Sequence, residues 1–220
     1  MALAILKKKT TRLYTVEEYL ELDRSSQERY QFLDGEVTLM AGESIRHGDI
    51  SVNLIREISF HLKGTDCRVL AKDTKTKSGG FALNFAQSKK GMFSYPDLVV
   101  ICGSPEFPDN YRDIVLNPSV IIEVLSESTE LFDRTDKFIR YRMFNFTLTD
   151  YVLVSQDKPL VERFVRQDDG NWKLFNYFGL DEILEIESIN CRIKLSEIYD
   201  RVKFTKKELL FIKEINNERI

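Results

Sequence analysis

The stretch Ser119-Val-Ile-Ile-Glu-Val-Leu-Ser126 decides the fold that this chain can adopt. A short run rich in β-branched residues predicts a strand that is buried on both faces, and within it only Glu123 carries a charge. Burying a carboxylate is unfavourable by several kcal/mol unless a cation, a metal ion or a raised pKa compensates it. The stretch therefore indicates either a functional carboxylate or a structural ion pair, for example with Arg134, that carries no chemistry.

A second buried strand, Asp97-Leu-Val-Val-Ile-Cys102, begins directly after Pro96. If the two strands are neighbours, the carboxylates of Asp97 and Glu123 converge on one Mg²⁺, with the backbone carbonyl of Val124 as a candidate third ligand. Lys137 follows about two turns into the next predicted helix, so its side chain can lean back toward the strand end. There it would orient a water or stabilise transition-state charge. These parts indicate a site for metal-dependent phosphodiester hydrolysis.

The other predicted elements surround these two strands. Strand, helix and strand from 119 to 154 form a crossover unit whose strands we expect to be parallel. Apolar periodicity, capping residues and turn signals predict the remaining elements. The predicted elements are a helix from Thr15 to about Asp23, a hairpin at Tyr30–Met40, a helix at Ile45–Lys63, a loop at Lys72–Gly91, an extended connection at Gly103–Asn117, a strand at Tyr151–Val154, a hairpin at Leu160–Phe178 and a C-terminal helix at 204–220.

Two further titratable residues lie near the beginning of a predicted strand and of a predicted helix. Glu36 follows the Asp34-Gly35 turn, a position that is ordinarily solvent-facing. His47 lies in the first turn of a predicted helix, where the helix dipole disfavours its charged form. A histidine at such a place is more often structural or solvated than catalytic, so neither residue indicates a function by itself.

Composition is that of a soluble globular protein in one domain, 1–220, with a flexible segment at 1–14. The 220 residues are 43% hydrophobic and 30% charged, and the formal net charge of −3 gives no global preference for nucleic acid. We find no apolar run near the roughly 20 residues that cross a bilayer, and no signal-peptide order at the amino terminus. Cys67, Cys102 and Cys191 lack a metal-ligand spacing, so we expect reduced thiols in a cytoplasmic protein.

A basic segment between Lys63 and Lys90 is the candidate nucleic-acid contact, because a chain of negative net charge needs a local basic face for that role. Lys72, Lys75 and Lys77 form its centre, and we predict that they contact the phosphate backbone. The alternative interpretation is an ordinary lysine-rich loop whose side chains are solvated.

The motifs of this chain, in their order, resemble one known family. They are Glu-Glu-Tyr at 17–19, Asp-Gly-Glu at 34–36, His47, Pro-Asp-Leu-Val-Val at 96–100, Ile-Glu-Val-Leu-Ser-Glu-Ser-Thr at 122–129, Asp133-Arg134 with Lys137 and Tyr141, and Tyr-Val-Leu-Val at 151–154. Over most of its length the chain thus resembles the Uma2 family (DUF820), restriction-endonuclease-like proteins that are abundant in cyanobacteria.

The resemblance implies an α/β (α+β) fold with a restriction-endonuclease-like core of the PD-(D/E)XK type, a mixed β-sheet flanked by helices, here with an added β-hairpin. It implies Asp97 and Glu123 as the acidic pair, and Mg²⁺ or Mn²⁺ as cofactor. The common motif has a lysine two residues after the glutamate, where this chain has Leu125, so Lys137 is its natural replacement. Glu36 and His47 match family positions and are implied as additional ligands or water-positioning groups.

Three hypotheses follow. The first is a Mg²⁺-dependent DNA endonuclease that acts as a homodimer, so that two sites address two strands. The second is a catalytically inactive nucleic-acid-binding or regulatory protein on the same fold. The third is an interaction protein in which Arg134 or Lys137 neutralises Glu123. The chain departs from the family where Glu127 stands for a frequent proline and Ser155-Gln156 stands for Asp-Pro; both departures affect turns outside the acidic pair.

Overall fold

The structure is a computed structural model that describes residues 12–40, 42–80, 85–210 and 212. Its helical elements are α1 Val16–Ser25, α2 Ile45–His61, α3 Glu130–Phe132, a π-helical turn at Asp133–Lys137, α4 Phe138–Phe144 and α5 Leu195–Ile198, with 3₁₀ turns at Phe85–Gln87 and Glu187–Ile189. The strands are β1 Tyr30–Leu33, β2 Glu36–Leu39, β3 Cys67–Ala71, β4 Lys75–Ser78, β5 Met92–Ser94, β6 Leu98–Cys102, β7 Ile114–Val115, β8 Val120–Leu125, β9 Asp150–Ser155, β10 Leu160–Arg166, β11 Trp172–Phe178, β12 Ile183–Ile186 and β13 Cys191–Lys194.

Two larger sheets and one small sheet organise these strands. A six-stranded sheet has the order β11-β10-β9-β8-β6-β3, a five-stranded sheet has the order β2-β1-β5-β4-β7, and β12 pairs with β13. The pair β8–β9 is parallel, and its crossover runs through α3, the π turn and α4, whereas β6–β8 and β9–β10 are antiparallel. The predicted α+β class with a mixed sheet flanked by helices is confirmed.

The register of the central strands sets the geometry of the site. In the antiparallel β6–β8 pair, Leu98 lies opposite Ile122 and Val99 opposite Ile121. Continuing that register by one residue places Asp97 opposite Glu123, on the same face of the sheet. The strand neighbourhood on which the predicted acidic pair depends is therefore present in the fold.

The six-stranded sheet separates two apolar clusters. On one face, Ile50, Leu54 and Ile58 of α2 pack with alternate residues of the sheet such as Ile122 and Val152. On the other face, Phe138 and Tyr141 of α4 pack with Ile121, Leu125 and Tyr151. Glu123 lies on this second face by strand alternation, which explains why the charged group meets α4 and the π turn.

Helix starts follow the capping signals of the sequence. The Thr15 Oγ1 accepts a hydrogen bond from the Glu18 N–H at 3.2 Å, and the Glu18 carboxylate accepts one from the Thr15 N–H at 2.9 Å. Thr205 and Glu208 form the same reciprocal pair at the start of helical residues 206–210. Most of the predicted C-terminal helix beyond these residues, and most of the predicted flexible segment 1–14, lie outside the described residues.

Two predicted loops contain strands. The polar segment Lys75–Ser78 forms β4 inside the five-stranded sheet and is buried throughout, and Ile114–Val115 forms β7 beside it. Burial of β4 is possible because its hydroxyls are satisfied: Thr76 Oγ1 lies 3.1 Å from the Tyr141 hydroxyl, and Ser78 Oγ donates to the Arg140 carbonyl at 2.9 Å. Tertiary hydrogen bonds thus override the loop-like composition on which the prediction rested.

The expectation of three reduced thiols is wrong. Cys67 and Cys102 are joined by a disulfide, and they are direct partners in the β3–β6 register. They are 35 residues apart in sequence, so only the pairing of these strands brings the two sulfurs together. Cys191 is a free, buried thiol, and burial raises its pKa to about 12. Within the described part of the chain, no helix combines the length and the apolar character that a membrane crossing requires.

Candidate metal centre

Asp97 connects three elements at one end of the central sheet. It directly precedes β6, and its Oδ2 accepts a hydrogen bond of 2.7 Å from the Val124 N–H of β8. Its Oδ1 lies 2.8 Å from Nε2 of His47, at the start of α2. The Asp97 carboxylate is therefore fixed by a strand on one side and a helix on the other.

His47 and Glu43 complete a group of three ligand-type atoms. The Ser44 side chain caps α2 by accepting the His47 N–H at 3.1 Å, which fixes the first turn and turns the imidazole toward the sheet. His47 Nε2 lies 3.6 Å from Glu43 Oε2, and one ligand atom each of Glu43, His47 and Asp97 lies within 4.8 Å of the others. Nitrogen and carboxylate oxygen are ligands for a divalent cation such as Mn²⁺.

The neighbouring carboxylates outweigh the effect of burial on the pKa of His47. Burial lowers the pKa of His47, but the hydrogen bond and charge of Asp97, together with the charge of Glu43, raise it above the ordinary value. The charged imidazole therefore compensates part of the negative charge in the group. A bound cation would serve the same electrostatic purpose.

A buried triad lies beside this group. Lys137 Nζ lies 2.7 Å from Glu123 Oε1 and 3.0 Å from Asp133 Oδ1, and all three side chains are nearly inaccessible, with Glu123 only 3% exposed. Lys137 and Asp133 bracket the π-helical turn, a feature that is frequent at functional sites. The Tyr151 hydroxyl donates to the Asp133 carbonyl at 2.9 Å and fixes this turn on the sheet.

The triad perturbs the pKa values of both partners. Burial raises the pKa of Glu123 well above its usual value, and the charges of Asp133 and Asp97 add to this increase, although Lys137 opposes it. Burial alone would lower the pKa of Lys137, but the charges of Asp133 and Glu123 raise it. Lys137 therefore faces two acidic groups as an ammonium, and a further positive ligand would favour the ionised form of Glu123.

The donor set fits a hard divalent cation. Lys137 Nζ lies 2.7 Å from Glu123 Oε1, and this buried oxygen has no other hydrogen-bond donor among the described residues. A buried oxygen of this kind is suited to a metal ion. The Val124 N–H faces Asp97, and because N–H and C=O of one strand residue face the same neighbouring strand, the Val124 carbonyl faces that side too.

The structure thus brings Asp97, Glu123, Lys137 and His47 to one place. Arg134 pairs instead with Glu130 and with Glu162, so the cation beside Glu123 is Lys137. Glu36 lies elsewhere, exposed at the start of β2, the outermost strand of the five-stranded sheet.

The three lysines of the basic segment have different environments. Lys72 is 40% exposed at its side chain and forms an ion pair with Glu43. Lys75 is 2% exposed, with Nζ 2.6 Å from Asp23 Oδ2 and 3.2 Å from Asp113 Oδ2, and Lys77 is also buried. Lys75 and Lys77 therefore do not belong to an exposed basic face of the kind that the sequence predicted.

Sequence reasoning missed Glu43 as a member of the group and gave Asp133 no role. Glu43 and His47 are four residues apart, as are Asp133 and Lys137. This spacing places Asp133 and Lys137 on one face of a helical segment, whereas Glu43 precedes the N-cap Ser44 and lies outside α2. The two spacings indicate a site only once the fold is known, because the fold places His47 beside Asp97 and Lys137 beside Glu123.

Known proteins share the sequence pattern and the fold of this chain. The Uma2 family model, described as "Putative restriction endonuclease", matches residues 16–196. Two proteins of Synechocystis sp. (strain ATCC 27184 / PCC 6803 / Kazusa), both described as uncharacterized, are similar in sequence. The protein slr1290 is 32% identical over 188 residues, which cover 86% of this chain and 92% of that protein. The protein sll1609 is 34% identical over 178 residues, which cover 81% and 94%.

A solved structure extends the likeness to three dimensions. A chain from Anabaena variabilis ATCC 29413, described as "a putative nuclease belonging to DUF820", superimposes with a TM-score of 0.67 at 14% identity and covers 86% of this chain and 99% of its own. This likeness defines the fold class of the chain, a mixed β-sheet flanked by helices that it shares with that structure. The family match and the two sequence relatives are more specific: this chain belongs to the Uma2 family.

Proposed function

We propose that this protein is a Mg²⁺- or Mn²⁺-dependent endonuclease of the PD-(D/E)XK type that hydrolyses phosphodiester bonds in DNA. The observation that carries the proposal is the position of Asp97, directly before β6, opposite Glu123 inside β8, with Lys137 2.7 Å from Glu123. Membership in a family described as restriction endonucleases and the shared fold support it.

Asp97, Glu123 and the Val124 carbonyl are the residues that would hold the ion, with His47 and Glu43 at its side. When bound, a divalent cation neutralises charge on the phosphate and makes a coordinated water more acidic. The protein prepares this place by fixing Asp97 between the Val124 N–H and His47, so that no rearrangement of that carboxylate is needed.

Lys137 has a restricted set of roles. Because Asp133 and Glu123 keep it protonated, it does not accept a proton from water. It stabilises negative charge on the phosphate or donates a hydrogen bond to the attacking water. Asp133 holds the ammonium at 3.0 Å and so keeps Lys137 in place when Glu123 engages a cation. Glu36 has no role in this scheme.

One observation favours the second hypothesis, an inactive nucleic-acid-binding or regulatory protein. Glu123 and Lys137 already neutralise one another in a closed, buried pair, so the fold does not need a metal ion to stabilise the glutamate. Cleavage and binding therefore have to be measured separately. The predicted homodimer belongs to the endonuclease hypothesis, since two active sites cut two strands.

The decisive experiment is cleavage of supercoiled plasmid DNA with Mg²⁺, with Mn²⁺ and with EDTA. We expect nicked or linear product only with metal, and its loss in Asp97→Asn and Glu123→Gln. Glu127→Gln is the matched control, because Glu127 is exposed and only four residues from Glu123. Metal-dependent cleavage that survives both Asp97→Asn and Glu123→Gln would overturn the assigned site. DNA binding without product in any metal would support the inactive alternative.

A further inference from the structure

A second concave surface, which we call the Tyr111 cavity, lies beside the metal centre. Its volume is about 370 Å³, and its lining includes Arg24, Asp73, Lys75, Tyr95, Tyr111 and Asp113. None of these residues takes part in the proposed hydrolysis. The size is within the range of ordinary small-molecule sites.

Tyr111 is held firmly but is not buried. The Arg24 guanidinium carbon lies 4.0 Å from the centroid of the Tyr111 ring, and the Tyr111 N–H donates to Asp109 Oδ1 at 3.0 Å. Nevertheless 73% of Tyr111 is exposed. A ring that is this exposed buries little apolar surface and so adds little to the stability of the fold. The ring that Arg24 holds in place is thus open to solvent.

Arg24 is itself immobilised by two carboxylates. Its Nε and Nη2 donate to both oxygens of Asp113 at 3.0 and 2.8 Å, and Nη2 also donates to Asp109 Oδ2 at 2.7 Å. Asp113 additionally contacts Lys75 at 3.2 Å. A bidentate arginine pair is among the more rigid polar contacts in proteins. The ring of Tyr111 is therefore supported by a preformed scaffold that connects α1 to the 103–117 segment.

The cavity adjoins the metal centre through two short connections. Tyr95, whose hydroxyl donates to Asp23 Oδ2 at 2.7 Å, precedes Asp97 by two residues. Asp73 lines the cavity, and its neighbour in sequence, Lys72, forms an ion pair with Glu43, which lies beside His47 and Asp97 in the candidate metal centre. The edge of the cavity formed by Tyr95 and Asp73 is therefore the one that a polymer bound at the metal centre would meet, and Tyr111 lines the same cavity.

Charge determines which part of a nucleotide suits this cavity. Carboxylates of Asp23, Asp73 and Asp113 line the wall, and the cations Arg24 and Lys75 are already paired with them. Because Asp73 is paired with Arg29 as well, the lining offers a phosphate no unpaired cation among the described residues. It suits a neutral nucleobase, whose flat face stacks on an aromatic ring regardless of sequence.

We propose that Tyr111, supported by Arg24, is a stacking platform for one unpaired nucleobase of a DNA strand whose backbone lies at the metal centre. The proposal rests on the proposed function for the identity of the polymer. It adds a requirement for single-stranded or locally unpaired DNA, since a paired base does not expose its face.

The test is fluorescence anisotropy with a labelled single-stranded 12-nucleotide DNA and a strand of equal length in which every nucleotide is abasic. Binding is measured in EDTA and again in Ca²⁺, a hard cation that takes the same oxygen ligands as Mg²⁺. We expect the native protein to prefer the base-bearing strand. Tyr111→Ala should lower that affinity roughly 5- to 150-fold and remove the preference, whereas Tyr111→Phe, which keeps the ring, should retain both.

Phe60→Ala serves as the remote control, because Phe60 is similarly exposed but lies about 20 Å along α2 from His47. It should bind both strands like the native protein. Equal affinity of the native protein for the two strands under both conditions, or native affinity in Tyr111→Ala, would overturn the platform.

The outcomes separate this proposal from the proposed function. Metal-dependent cleavage with no effect of Tyr111→Ala on binding removes the platform and leaves the nuclease. Tyr111-dependent binding without cleavage in any metal removes the nuclease and leaves the platform.

Discussion

Glu123 and Lys137 form a buried ion pair, with Nζ 2.7 Å from Oε1, although they belong to a central strand and to the π-helical turn of the following crossover. Asp133 shares the same ammonium at 3.0 Å. The two acidic groups share one ammonium in a water-poor environment, where burial and the charges of Asp133 and Asp97 raise the pKa of Glu123 well above its usual value. A cation bound near Asp97 and Glu123 would favour the ionised carboxylates, so we expect its binding to change stability as well as activity.

A divalent cation should stabilise the native protein. A ligand that binds only the folded state raises its stability by mass action, by about 2.7 kcal/mol at a concentration of 100 Kd. We expect thermal unfolding to shift upward with Mn²⁺ or Mg²⁺ in the native protein and in Glu127→Gln, and the shift to disappear in Glu123→Gln and Asp97→Asn. An equal shift in all four proteins would show that the ion binds elsewhere.

Removing Lys137 should destabilise the fold more than removing an exposed cation. Lys137→Met leaves Glu123 and Asp133 buried without their partner, and breaking a buried pair costs about 3–5 kcal/mol. Urea unfolding should show a loss of this size, and Lys137→Met combined with Glu123→Gln should lose less than the sum of the two single changes.

Arg134→Met is the comparison for that series, because its partners Glu130 and Glu162 are partly exposed. Such pairs contribute about 1 kcal/mol or less. Additive losses for Lys137→Met and Glu123→Gln would contradict the direct coupling of the two side chains.

Lys72 and Lys75 should behave differently when each is changed to Gln. Lys72 is exposed beside Glu43, so Lys72→Gln should weaken DNA binding and reduce the salt slope of binding by about one unit. Lys75 is buried between Asp23 and Asp113, so Lys75→Gln should lower the unfolding free energy instead. Affinity at several salt concentrations and urea unfolding distinguish the two effects. A normal fold with a reduced salt slope in Lys75→Gln would show that its ammonium does reach DNA.

Protonation of Asp34 should lower the free energy of unfolding at acid pH. Burial raises the pKa of Asp34, but the Gly91 N–H, which donates to Oδ1 at 2.9 Å, and the Arg140 guanidinium lower it below the ordinary value of 3.8. A group whose pKa is lower in the folded state contributes stability above its unfolded pKa and loses it as pH falls through the folded pKa.

The native protein should therefore be more stable than Asp34→Asn at pH 7, and the difference should shrink below about pH 3.8. Urea unfolding of both proteins between pH 7 and pH 3 checks this. A difference between the two proteins that stays constant over that range would exclude the carboxylate charge as its cause.

The sequence predicted the parts of the site better than their assembly. Local signals were sufficient for the strand with Glu123, for the strand after Pro96, and for the capped start of α1 at Thr15, because a run of apolar residues or a capping box acts over a few neighbouring residues. The family resemblance then supplied the pairing of the acids, which periodicity alone left open.

Other features required the tertiary structure. Glu43 joins His47 and Asp97 only because the start of α2 packs against the residue before β6, which is 50 positions from His47 in the sequence. The polar strand β4 is buried because distant hydroxyl and carbonyl groups satisfy it, and Cys67 meets Cys102 because two strands pair in one register.

The sequence by itself determined the central strands, the helix that carries Lys137 and the family of the chain. The tertiary structure decided which charges meet, since Lys137 rather than Arg134 reaches Glu123 and Lys75 is enclosed by Asp23 and Asp113. The physical reason is range: backbone preference and periodicity act within one element, whereas electrostatic partners and burial depend on register and packing between residues far apart in the chain.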